Sequence, residues 1–200
     1  MCAHAINRRC EVNRTKIFFL LASICLTAAG PLAAQGALFG IAGGAVNSDF
    51  RNASTSSKWG ATAGVFGAFR ANRNIIVTLE GNWTQKGASN TRINYIEVPL
   101  MFGAVLPMDN GMGFRLYAGA ELDFKVACSS SDVVFNCNSA NGTLFTIPFG
   151  VVIGKTSRSG TFVGLDIRYS ASLTDTFSNI PSLWNRTWYF RLQIGKGPGR

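Results

Sequence analysis

Two hundred residues make one domain and leave no room for a multidomain enzyme. Hydrophobic residues are 47% of the chain and charged residues only 14%, with 15 Phe, which is too aromatic and too poor in charge for a disordered chain. No succession of ~20-residue apolar stretches is present, so a bundle of membrane helices is excluded as well. The net charge of +9 has to be judged by where it lies.

The chain opens with Arg8, Arg9, Arg14 and Lys16, followed by the apolar stretch 17–29 and then Gly30-Pro31-Leu32-Ala33-Ala34-Gln35-Gly36. A basic start, an apolar centre and a small-residue exit are the three regions of a secretory signal. Residues 1–36 are therefore predicted to be a signal peptide, with cleavage between Ala33 and Ala37, and 37–200 to be the exported domain. Pro31 and the shortness of the run argue against a helical anchor. Ile24 stands where a lipid-attachment signal at Cys25 needs a small residue. The exported part keeps fifteen basic and nine acidic residues, with no adjacent pair of Lys and Arg and no nucleic-acid motif. No nucleic-acid partner is expected.

Along the exported part, apolar and polar residues alternate with a period of two, the pattern of strands with one apolar and one polar face. Eight strands are predicted, at 37–46, 59–69, 74–85, 92–106, 112–125, 143–154, 160–172 and 186–195. The first two are rich in Gly and Ala. In the third, Val77, Leu79 and Trp83 oppose Thr78, Glu80, Asn82 and Thr84. The fifth is the clearest, with Leu116, Ala118, Leu122, Phe124 and Val126 opposing Arg115, Tyr117, Glu121, Asp123 and Lys125. In the seventh, Val163, Leu165 and Ile167 oppose Asp166 and Arg168, and in the last, Trp188, Phe190 and Leu192 oppose Tyr189 and Arg191. Pro99 and Pro148 lie within predicted strands, on the polar face, where each removes a ladder hydrogen bond. Between Cys128 and Cys137 lies a short polar loop, and in an exported chain the pair is predicted to form a disulfide.

The predicted connectors alternate: 47–58, 126–142 and 173–185 are long and 86–91 is intermediate and polar, whereas 70–73, 107–111 and 155–159 are tight turns. Long loops at one end and short turns at the other are the pattern of an outer-membrane barrel. Alternation alone fits a soluble sandwich equally well. Three features favour the barrel. The strands are long enough to cross a tilted membrane, which takes ~9–11 residues. Trp59, Trp83, Trp184 and Trp188 fall near the predicted long-loop ends, as an interfacial aromatic girdle does. The polar faces carry Glu80, Glu97, Glu121, Asp123 and Asp166 against Arg115, Lys125, Arg168 and Arg191, a near balance that a narrow lumen needs because unpaired buried charge is costly. The fold expected is all-β: an eight-stranded, antiparallel, transmembrane, up-and-down β-barrel in the bacterial outer membrane.

The run Leu79-Glu80-Gly81-Asn82-Trp83-Thr84-Gln85-Lys86-Gly87-Ala88, with Tyr95-Ile96-Glu97-Val98-Pro99-Leu100 after it, resembles the PorT-like outer-membrane barrel domain. That family shows an acidic residue, a Gln-Lys-Gly turn and a Tyr-[Ile/Val]-Glu-[aliphatic]-Pro-Leu strand, and its members are commonly labelled porin-like. Gly64-Val65-Phe66-Gly67 and Tyr117-Ala118-Gly119 fit as well, so the likeness covers 37–200. It implies a barrel type rather than a reaction, and it implies outer-membrane lipid and the barrel-assembly machinery as partners. One departure is that Trp188-Tyr189-Phe190 is followed by Lys196-Gly197-Pro198-Gly199-Arg200 in place of a terminal aromatic.

Candidate chemistry is sparse. The one histidine, His4, lies in the predicted signal, so triads built on imidazole and histidine metal sites are not available to the exported domain. Glu80 and Glu97 could be read as a catalytic carboxylate pair, but they fit better as lumen residues facing arginines. Gly40, Gly43 and Gly44 are followed by no helix with a lysine, and Asp132 and Asp175 are too isolated for a calcium site. No catalytic residue, metal or cofactor is assigned. Three readings remain open: an integral barrel with a plugged polar lumen that acts in envelope structure or binds an envelope or extracellular protein through its loops; a narrow porin-like solute channel; and a membrane-embedded lipid enzyme or soluble carrier barrel.

Overall fold

The computed structural model describes residues 36–72, 74–131 and 135–198. The predicted signal, at 1–36, lies outside the described residues except for Gly36. Eight strands follow in chain order: β1 (Leu38–Arg51), β2 (Lys58–Arg70), β3 (Ile75–Ala88), β4 (Thr91–Pro107), β5 (Met112–Ser130), β6 (Thr143–Thr156), β7 (Thr161–Ser172) and β8 (Trp184–Lys196). Each pairs antiparallel with its sequence neighbours, and β1 pairs with β8 from Phe39↔Lys196 to Arg51↔Trp184, which closes the sheet into a barrel. Closure leaves no free edge, so every strand is paired on both sides.

The barrel is turned inside out relative to a soluble protein. Leu165 and its register partner Leu192 are 48% and 51% exposed, while Asp166 and Arg168, farther along the same strand as Leu165, are fully buried. The same division holds on β5, where Leu116, Leu122 and Phe124 are exposed and Glu121 and Asp123 are buried. A soluble sandwich cannot leave its apolar face outside and its charged face inside. A barrel whose solvent is lipid does so on every strand.

Three strand ends run three or more residues beyond the sequence reading. β1 continues through Asn47, Ser48 and Asp49, which pair with β8, so the first long loop shrinks to 52–57. β3 continues past Gln85 through Lys86 and Gly87 to Ala88, so the connector expected at 86–91 is only Ser89 and Asn90, with Ser89 at a φ of 49°. β5 continues to Ser130 across a bulge: Tyr95 pairs with Lys125 and Asn94 with Ala127, leaving Val126 unpaired. In each case polar residues read as loop are held in the ladder by a partner strand, which local sequence does not reveal. The bulge shifts the alternation by one residue, so Cys128 packs inward where the earlier parity would point it out. At the opposite end, Asn110 and Gly111 take positive φ (60° and 77°) in the β4–β5 turn, a conformation these two residues tolerate best.

Each proline interrupts one ladder and keeps the other. β3–β4 pairing skips from Leu79↔Leu100 to Asn82↔Glu97, whereas Pro99 still pairs with Glu121 of β5. β5–β6 pairing skips from Ala118↔Phe149 to Glu121↔Thr146, whereas Pro148 still pairs with Ser170 of β7. A closed barrel therefore accommodates a proline by giving up a local stretch of one seam.

Candidate functional site

The lumen is built in three layers, because side chains of like position on all eight strands converge there. Nearest the short turns is an apolar layer of Ala42, Phe66, Ala68, Ile76, Met101, Val152 and Phe162, with Tyr117 at its upper edge. Nearest the long loops is a second apolar layer of Phe50, Ile93, Tyr95 and Leu144, capped by Ala140, Phe177 and Leu183 from the loops. Between them lies the charged layer.

Its lower half is balanced charge for charge. Arg168 Nη2 donates to Glu80 Oε1 at 2.9 Å, and Arg191 Nη1 donates to Glu80 Oε2 at 3.0 Å. Arg191 also grips Asp166 through Nε at 2.9 Å and through Nη2, and Tyr117 donates its hydroxyl to the other oxygen of that carboxylate. Arg168 Nε donates to Tyr117 Oη at 2.9 Å, and Asn82 Nδ2 donates to Glu80 at 3.0 Å. Gly150 makes this possible, since a Cβ there would stand 2.7 Å from the Tyr117 hydroxyl. Two carboxylates and two guanidiniums thus form one hydrogen-bonded knot spanning the lumen from β3 to β7 and β8.

The upper half has one cation among three carboxylates. Lys86 Nζ lies 2.8 Å from Glu97 and from Asp123, and 3.6 Å from Glu121. Thr84 and Tyr189 donate hydroxyls to Glu97 at 2.8 and 2.7 Å, and Thr146 donates to Asp123 at 3.0 Å. Oxygens of Glu97, Glu121 and Asp123 all lie within 4.8 Å of one another, a donor set that could hold a metal ion. The cation at their centre is the protein's own ammonium. Arg168 Nη1 reaches Glu121 at 3.9 Å and links the two halves.

Of the residues singled out from the sequence, the structure brings together Glu80, Glu97, Glu121, Asp123, Asp166, Arg168 and Arg191. Two expected members stand apart. Lys125 turns toward the loop, where its ammonium donates to the carbonyls of Cys137 (3.3 Å) and Ala140. It lies on the last residue before the bulge, above the charged layer. Arg115 lies below that layer, with its guanidinium 5.7 Å from the Phe162 ring centroid and, among the described residues, no carboxylate in contact. The carboxylate partners of Arg191 are Glu80 and Asp166. Lys86 was missed because Gln-Lys-Gly reads as a turn. Its parity with Glu80, Asn82 and Thr84 was the available signal.

The outer surface carries the aromatic row. Asn47 pairs with Trp59 on one side and Trp188 on the other, and Trp188 meets Tyr169 at a centroid distance of 4.9 Å. Trp83 sits deeper than expected, opposite Ala63 and Ile96, because β3 runs on beyond it. Just outward of Trp188, Arg186 Nη2 donates to Asp49 at 2.9 Å. Beyond these strands the loops are tied together. Cys128 and Cys137 are joined by a disulfide, Ala140 bridges Phe177, and Asn141 Nδ2 donates to the Asp175 carbonyl at 2.6 Å.

The family model described as "Outer membrane protein beta-barrel domain" matches residues 18–194. The chain belongs to that family. The barrel is similar to the crystal structure of Neisserial surface protein A, with a TM-score of 0.57 and 11% identity over 80% of this chain and 98% of that one. It also matches Ail, the attachment invasion locus protein of Yersinia pestis, with a TM-score of 0.48 and 13% identity over 80% of this chain and 97% of that one. No curated protein has a significant sequence match to the chain. Family and fold together make this a protein of the bacterial outer membrane.

Proposed function

We propose that this barrel is a non-conducting, non-enzymatic membrane scaffold whose lumen is plugged and whose tied loops make contacts outside the cell. The observation that carries the reading is the continuous charged layer. Arg168, Arg191 and Lys86 are buried and together reach all five carboxylates of that layer, Glu80, Glu97, Glu121, Asp123 and Asp166. Eight strands enclose an interior just wide enough for side chains to fill, and here paired long side chains occupy it. The apolar layer above, with Phe177 and Leu183 seated on Phe50 and Ile93, supports closure at the loop end.

A plug frees the loops from any gating duty. The 135–142 and 173–183 segments are cross-tied by a backbone bridge and side-chain hydrogen bonds, and the Cys128–Cys137 disulfide ties the first of them to β5; a pre-ordered surface loses less entropy on binding. Their partner is an envelope or extracellular protein. Outer-membrane lipid and the barrel-assembly machinery are the partners of the barrel wall itself. Within the family, the Gln85-Lys86-Gly87 and Glu97-Val98-Pro99 motifs support a PorT-like member, because Lys86 and Glu97 are the residues that meet in the upper charged half.

The test is conductance in planar bilayers. Wild-type monomer should give no steady current, with at most brief small openings. A stable conductance of general-porin size would reject the plug and make the barrel a narrow solute channel.

A further inference from the structure

A cavity of about 290 Å³ opens at the short-turn end of the barrel, below the charged layer. Its apolar wall is built by Leu38, Ile76, Val105, Val152 and Phe162, and Thr156 and glycine backbone line it as well. Among the described residues, two cations line it, Arg115 inside and Arg70 in an exposed position, and no acidic residue does. Arg115 is only 8% exposed, and among the described residues its guanidinium makes neither a hydrogen bond nor an ion pair. The carboxylates of the layer above are already committed, Glu80 to Arg168 and Arg191, and Asp166 to Arg191 and Tyr117.

The surroundings of Arg115 are shaped for it. Its guanidinium lies over the Phe162 ring, and that ring fits only because its neighbours lack side chains: a Cβ on Gly154 would stand 2.5 Å from it and one on Gly164 2.6 Å. A Cβ on Gly103 would come within 3.2 Å of Arg115 Cγ. A buried guanidinium without an anion is costly, and its planar fork matches a carboxylate with two parallel hydrogen bonds. Apart from the two arginines and Thr156, the described side chains that line the cavity are apolar, and its volume is at the small end of the range for ligand pockets.

We propose that this cavity binds a small amphiphilic carboxylate, its head paired with Arg115 and its short apolar tail against Leu38, Ile76, Val105 and Val152. Arg70 attracts the anion to the mouth. In bacterial barrels the short-turn end faces the periplasm, so the ligand enters from that compartment. The site is separate from the loops and from the plug, and its occupancy is read without any measurement of current.

The experiment is a titration of isotopically labelled barrel, refolded in an uncharged detergent, with hexanoate, hexanamide and inorganic phosphate in parallel. Hexanoate should give saturable shifts of the Arg115 Nε–H and Phe162 ring resonances. Hexanamide should bind at least about tenfold more weakly, as should Arg115→Met with hexanoate, because each removes a charge-assisted contact. Arg115→Met is first checked for the heat-dependent gel shift of a folded barrel. Should it fail that check, Val152→Trp, which fills the cavity and keeps Arg115, carries the test and should abolish the shifts. Linear, non-saturating shifts would overturn the proposal as detergent partitioning. So would equal affinity for hexanamide or phosphate, or undiminished binding by either folded variant.

Discussion

Lys86 and Lys125 show how position decides what a lysine is worth. The sequence reading places Lys125 in the lumen and Lys86 in a connector, yet Lys86 holds three buried carboxylates while Lys125 serves loop carbonyls. Removing the cation from a buried ion cluster leaves uncompensated charge at about 3–5 kcal/mol. Lys86→Met should therefore lower the urea midpoint of the refolded barrel by a large margin. Lys125→Met should lower it far less, because carbonyls that lose an ammonium near the loop can turn to water. Equal losses in the two variants would mean that the upper carboxylates are not held by Lys86. Arg191→Met belongs with Lys86→Met, since Arg191 donates hydrogen bonds to both Glu80 and Asp166.

At the scale of the strands, most of the fold was legible, and the reason is the period of two. A strand with lipid on one side and a packed lumen on the other has no mixed positions, so Leu165, Asp166, Ile167 and Arg168 announce their faces without any partner being known. That makes a direct comparison available. Leu165→Arg should impair insertion by roughly 2–4 kcal/mol if the side chain sits near the bilayer midplane, whereas Asp166→Asn, pointing inward, should insert normally. Folding yields into lipid vesicles measure both, and the reverse order would mean the faces are exchanged. The strand ends were not legible. Asn47-Ser48-Asp49 and Gln85-Lys86-Gly87 are loop-like by composition, and only pairing with β8 and β4 keeps them extended. The Val126 bulge hid the inward turn of Cys128, although the disulfide to Cys137 was expected. Its loss in Cys128→Ser should cost the 131–142 loop roughly 2–3 kcal/mol of constraint on the chain-entropy view. Proteolysis should then nick that loop while the barrel keeps its heat-dependent gel shift; an unshifted band would show that the disulfide holds the barrel itself.

For the whole molecule, the charged layer is one object rather than a set of pairs. Arg191 reaches Glu80 and Asp166, Arg168 reaches Glu80, Asp166 and Glu121, and Lys86 reaches Glu121, Glu97 and Asp123, so every strand from β3 to β8 except β6 supplies an ion to the same chain of contacts. Substitutions within such a network do not add, because each changes the charge its neighbours feel. Arg191→Met leaves Asp166 with Tyr117, Gln193 and a longer contact to Arg168. Adding Asp166→Asn removes the carboxylate that lost its partner. The double variant should therefore be more stable than Arg191→Met alone, although it carries one more lesion. The same reasoning makes Asp166→Asn alone destabilising, because it frees a guanidinium that Glu80 must then share with Arg168. Urea midpoints of the four proteins in one detergent complete the cycle. Strict additivity, with the double variant as weak as the two single losses combined, would mean that these ions act independently and that the lumen is filled by separate pairs.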